Sequence, residues 1–92
     1  MKTLRWTPPP RTDRPRVAVL TPRQTDVLHG ICLGLTNNQI GRRLDMSEET
    51  VKVHVRRLLA AMHTGNRADA AILVYTGTVT IAVRDETRQP AA

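Results

Sequence analysis

Thr36–Met62 reads TNNQIGRRLDMSEETVKVHVRRLLAAM, which divides into a short helical pattern, a tight turn at Asp45-Met46 and a longer helical pattern with two contrasting faces. Ser47 is placed as the N-cap of the longer helix, its hydroxyl able to accept from a first-turn amide. Glu48 and Glu49 follow at the positive end of the helix dipole. The pattern predicts a helix over 48–63, about 24 Å long. Stepping about 100° per residue from Val51 brings Val55, Leu58 and Met62 into a narrow arc and turns Lys52, Val53, Arg56 and Arg57 the opposite way. One face is therefore core and the other is basic. Val53 stands out on the basic side, where an apolar β-branched group gains nothing from water and matches a thymine methyl in a major groove. A short helix, a capped turn and a two-faced longer helix make the layout of a helix-turn-helix DNA reader.

The pattern continues on both sides. Thr21-Pro22 suits a helix start, and Val27, Leu28, Ile31 and Leu35 recur at helical spacing up to a stop at Gly34. Gly30 weakens that helix by about 1 kcal/mol relative to alanine and permits a close helix crossing. The second helix, Asn37–Leu44, turns Ile40 and Leu44 inward and Arg42 and Arg43 outward, with Met46 pointing in from the turn. A fourth helix is expected from Asn66 to Tyr75, with Gly77 as a left-handed terminator. Its apolar residues cover almost the full circumference, more than one core face can absorb, and this predicts self-association, with Ala70, Leu73, Val74 and Gly77 at the dimer contact. Thr78–Val83 alternates with period two and is either a short strand, paired with Val17–Leu20, or an extended tail.

The expected organisation is thus an all-α, four-helix domain over 20–79, preceded by a flexible, basic, proline-rich arm over 1–19 and followed by a tail over 80–92 that includes a short extended segment. Met1–Arg16 holds Pro8, Pro9, Pro10 and Pro15, and its one large apolar group, Trp6, is either incidental or an anchor for a partner. The formal net charge is +6. Most of the excess lies in the arm, where five basic residues stand against Asp13, while the domain has seven against five. This balance favours a polyanionic partner, double-stranded DNA being the one the helix layout suits.

Several function classes receive no support. Cys32 is the only cysteine, so no intramolecular disulfide can form. No apolar run approaches membrane-spanning length and no signal peptide opens the chain, so the expectation is a cytoplasmic protein with no membrane partner. His29, Cys32 and His63 do not make the tetrad of a structural zinc, and no metal or other cofactor is expected. His54 lies about 60° off the core centre of its helix and is expected to be a half-buried histidine bonded to backbone or to a neighbouring helix. No nucleophile-base pair or phosphate loop is present, and an enzyme is not expected.

Taken together, L-T-P-R (Leu20–Arg23), Val27-Leu28, G-L-T-N-N-Q-I (Gly34–Ile40), L-x-M-S-x-x-T-V-K-V-H-V (Leu44–Val55) and N-R-x-x-A (Asn66, Arg67, Ala70) resemble the LuxR-type, or FixJ/GerE-type, DNA-binding domain of bacterial transcription regulators. The resemblance covers Leu20 to about Val79. It implies a four-helix domain whose third helix enters the major groove and whose fourth forms a dimer contact. Position by position, it implies that Lys52, Val53 and Arg56 read base edges and that Asn37, Ser47, Thr50, Arg57 and Arg67 hold phosphates or the turn. Arg42 and Arg43 join the phosphate set on charge and projection alone. The chain departs from the family pattern at Gln24 and Gln39, usually glutamates that form bracing ion pairs, and at Ala61 and Thr64, usually lysine and an aliphatic residue. Nineteen residues before Leu20 are too few for a sensory domain. The expectation is therefore a stand-alone, dimeric, sequence-specific regulator. Two rivals remain: a fragment similar to region 4 of sigma factors, which shares the I-G-R-R-L and S-x-x-T-V texture, and a protein-interaction module acting on RNA polymerase or another regulator without an operator of its own.

Overall fold

A computed structural model describes residues 16–84, in the order β1 (Arg16–Leu20), α1 (Pro22–Cys32), α2 (Asn37–Leu44), α3 (Glu48–Ala61), α4 (Arg67–Tyr75) and β2 (Val79–Val83). The expectations for Trp6, for the proline-rich segment and for the tail beyond Arg84 fall outside these residues.

The four helices stand where the apolar periodicity puts them, and the extended segments that flank them form a two-stranded sheet. β1 and β2 pair in parallel, with Val17 opposite Thr80, Ala18 opposite Ile81 and Leu20 opposite Val83. Arg84 N–H adds a bond to the Leu20 carbonyl at 2.6 Å. The described elements therefore run from Arg16 through Val83, with the two strands flanking the four helices. The physical reason is the pleat. Alternate residues Ala18 and Leu20 of β1, with Val79 of β2, turn inward and are buried, while Val17 and Val19 face out.

Each helix start has a local cause. The hydroxyls of Thr21 and Thr36 accept from the backbone N–H of Gln24 and Gln39, whose side-chain oxygens accept in return from the backbone N–H of Thr21 and Thr36, at 2.9 Å in both cases. These are two complete capping boxes, each cap worth about 1 kcal/mol. The two glutamines thus form neutral hydrogen bonds, each within its own helix start. Asn66 caps α4 by accepting from Asp69 N–H at 2.8 Å.

The helix ends share one geometry. Gly34 (φ +79) and Gly77 (φ +73) sit in the left-handed position after α1 and α4, as their sequence places suggest. At the end of α3 a histidine occupies that place. His63 has φ +56, its N–H donates to the Ala60 carbonyl, and Thr64 N–H donates to the Leu59 carbonyl, both at 3.1 Å. α3 consequently ends at Ala61 and not at His63, because the reversed backbone at His63 breaks the helical ladder.

Leu20, Val27, Leu28, Ile31, Ile40, Val51, Leu58, Met62, Ala70 and Val79 form one core, with α3 packed chiefly on α1 and α2. Gly30 does allow the close crossing: a Cβ there would stand 2.7 Å from Ile40 Cγ1. Burying these side chains together with Ala18 supplies the main drive for folding, about 25 cal/mol per Å² of apolar surface removed from water.

Candidate nucleic-acid interface

The turn between α2 and α3 depends on close backbone contact. Asp45 ends α2 with φ +57 and ψ +50, and Met46 N–H donates to the Gly41 carbonyl at 2.8 Å. A Cβ on Gly41 would stand 2.6 Å from the Met46 carbonyl oxygen, so only glycine lets the turn fold back this tightly. Ser47 then starts α3. Its Oγ accepts from Thr50 N–H at 3.1 Å and lies 2.9 Å from Thr50 Oγ1. Both residues are exposed, so their hydroxyls retain bonding capacity toward solvent or a ligand.

Beyond the cap, α3 divides as its periodicity demands. Val51, Leu58 and Met62 are buried, Val55 is half-buried against the same core, and Lys52, Arg56 and Arg57 are exposed. Val53 is half-buried rather than freely exposed, and it keeps part of its surface beside the three cations. Lys52 is not free: its Nζ lies 3.4 Å from Glu49 Oε2, with the Lys52 side chain 48 % and the Glu49 side chain 83 % exposed. His54 is half-buried as expected, but its Nδ1 is enclosed and has no hydrogen-bond partner among the described residues.

The outer members of the predicted phosphate set are dispersed. Arg42 and Arg43 are exposed on α2, and Arg43 also borders a cleft of about 230 Å³ between α1 and α2, together with Asp26, His29 and Leu33. Arg67 points inward. Its Nη1 donates to Asn37 Oδ1 at 2.6 Å and its Nη2 to the Leu35 carbonyl at 2.9 Å. This pair locks the start of α4 to the start of α2. The contact braces the two helix starts, and it occupies Asn37 Oδ1 rather than the Nδ2 donor that a phosphate would use.

α4 sorts its apolar residues by depth. Ala70 is 0 % exposed, and Leu73 and Val74 pack against the core, so Ala70 has no surface to offer a partner and the other two offer little. Gly77 is exposed but serves as the helix terminator. The outward stripe is instead Ala68, Ile72 (51 % exposed) and Tyr75 (70 %), spaced three to four residues apart. Tyr75 O–H donates to the Cys32 carbonyl at 2.8 Å, tying the end of α4 to the end of α1. Burial pushes the pKa of the Cys32 thiol up.

Sequence reasoning gives no site role to Gly41, Ile72 or Tyr75 and places Glu49 only at the helix dipole. Glu49 was within its reach, since it projects at about 160° from Val51, in the middle of the basic face. Gly41 was not, because the carbonyl that excludes a Cβ comes from the turn.

Residues 18–74 match the family described as bacterial regulatory proteins, luxR family. The chain belongs to this family. The match begins inside β1 and stops inside α4, leaving β2 beyond it. Among curated proteins, the chain is 50 % identical over 56 residues to the nitrate/nitrite response regulator protein NarL of Escherichia coli (strain K12), which is 61 % of this chain and 26 % of that protein. NarP of the same strain gives the same figures. The two-component response regulator PprB of Pseudomonas aeruginosa is 41 % identical over 58 residues, 63 % of this chain and 21 % of that protein. The chain thus spans between a fifth and about a quarter of the length of these relatives. Among the described residues no helix is long and apolar enough to cross a membrane.

Proposed function

We propose that this luxR-family domain is a sequence-specific DNA-binding regulator of transcription that inserts α3 into the major groove. The observation that carries the reading is the division of α3, with Val51, Leu58 and Met62 held in the core and Lys52, Val53 and Arg56 turned outward beside Arg57. Lysine and arginine donate to guanine O6 and N7, and a valine fits a thymine methyl; each good base contact supplies about 1 to 3 kcal/mol of discrimination. Arg57, Arg42, Ser47 and Thr50 are the phosphate-facing groups, with Arg43 at the margin, while Asn37 and Arg67 hold α2 and α4 in register. The luxR-family match and the relatives named as response regulators support the same reading.

The domain acts as a homodimer through α4, with half-sites about one helical turn of DNA apart. The exposed stripe of Ala68, Ile72 and Tyr75 supports this and moves the contact off Ala70. Selection of bound duplexes from a random pool tests the DNA reading. The parent enriches one sequence, the Lys52→Ala/Arg56→Ala double variant loses that preference, and retention of both affinity and selectivity in the variant refutes the assignment of readers. Sedimentation of Ile72→Glu tests the dimer: monomers are expected, and an unchanged dimer rejects α4 as the contact. A steep salt dependence with a specific footprint separates this function from that of an interaction module without an operator.

A further inference from the structure

The outward face of α3 contains an acid that the basic reading does not use. On the helical projection Lys52, Glu49, Arg56 and Val53 fall at about 100°, 160°, 140° and 200° from Val51, so Glu49 stands among the three proposed readers and not at their edge. It is the second residue of α3, at the end of a recognition helix that approaches base edges most closely. Its side chain is 83 % exposed, and its only partner among the described residues is Lys52 at 3.4 Å, an exposed pair of little worth to the fold. Folding uses the acid only at the positive end of the helix dipole, a place it shares with Glu48, and asks for no contact on the outer face. Toward a polyanion the acid is unfavourable everywhere except where a nucleobase presents a donor.

We infer that Glu49 is a specificity-determining residue whose carboxylate accepts from the N4 amino group of a cytosine in the major groove, an inference that rests on the DNA reading above. Cytosine offers an amino donor there, whereas adenine sets its N7 acceptor beside its N6 amine and so repels the second carboxylate oxygen; guanine and thymine offer that edge only acceptors or a methyl. Without DNA, Glu49 engages Lys52. On the operator each turns to its own base edge, and at any other sequence the carboxylate meets acceptors and weakens binding.

The test is selection from a random duplex pool with the parent, Glu49→Ala, Glu49→Gln and Lys52→Ala, each checked for an unchanged melting profile. The parent should enrich cytosine at one position of each half-site. Glu49→Ala should lose that preference by about tenfold while keeping the others and should bind random DNA more tightly, and Glu49→Gln should move the preference to adenine, which a side-chain amide can pair at N6 and N7. Lys52→Ala should retain the cytosine, because the carboxylate reads it directly. The inference is overturned if Glu49→Ala selects the parent's sequence, or if Lys52→Ala alone erases the cytosine, since Glu49 then acts only by holding Lys52. A parent that enriches nothing instead refutes the DNA reading itself.

Discussion

Replacing Gly41 by alanine isolates the turn that sets α3 against α2. The new Cβ would lie 2.6 Å from the Met46 carbonyl oxygen and 3.5 Å from Val51 Cγ2, and the oxygen belongs to backbone that cannot rotate away. Restoring ordinary contact needs a displacement of several tenths of an ångström in the 45–47 segment, and overpacking of this kind costs about 1 to 3 kcal/mol. Alanine returns about 1 kcal/mol in helix propensity. The net expectation is a loss of up to about 2 kcal/mol, or up to roughly 15 °C in Tm for a domain of this size. Because the strain falls on the segment that aims α3, DNA affinity should also drop at temperatures where the variant is fully folded. Thermal unfolding followed by circular dichroism, together with fluorescence anisotropy on a selected duplex at 10 °C, reads both effects. A variant as stable as its parent and equally tight on DNA would show that the turn does not depend on the missing Cβ.

His63→Gly should raise stability by about 0.5 to 1 kcal/mol, since φ +56 is strained for a side chain and free for glycine, and a lower Tm would contradict this. Removing the Arg67 side chain as alanine should cost about 2 kcal/mol by stranding Asn37 Oδ1 and the Leu35 carbonyl, with Arg67→Lys recovering only part because one ammonium cannot span both acceptors. If bracing is its role, the salt dependence of DNA binding by Arg67→Lys keeps the parent's slope, whereas Arg57→Ala flattens it by about one unit. Cys32, whose folded pKa is raised, adds stability that is complete below the unfolded thiol pKa of about 8.5 and is lost as pH climbs through the folded value. Alkaline unfolding should therefore be milder in Cys32→Ala, after correction for the neutral-pH difference, and an identical pH profile would exclude the thiol.

Much of this architecture is local and so was written in the chain. Thr21, Thr36, Ser47 and Asn66 act on amides within three residues of themselves, Gly34 and Gly77 reverse the backbone on the spot, and the apolar spacing of α1 and α3 fixes which faces turn inward. The basic face of α3 belongs to the same class, because side-chain direction along a helix follows from its pitch alone. Contacts between segments distant in sequence decided the rest. β1 and β2 are separated by four helices, and the choice between a paired strand and an extended tail is decided only when Ala18 and Val79 are buried together. Arg67 stands thirty positions from Asn37 in sequence, and only folding sets its guanidinium against that side chain. The apolar circumference of α4 could not be divided from sequence: α1 and β2 cover the side carrying Ala70, Leu73 and Val74 and leave Ile72 and Tyr75 outside. Periodicity states which residues share a face, and only packing determines what that face meets.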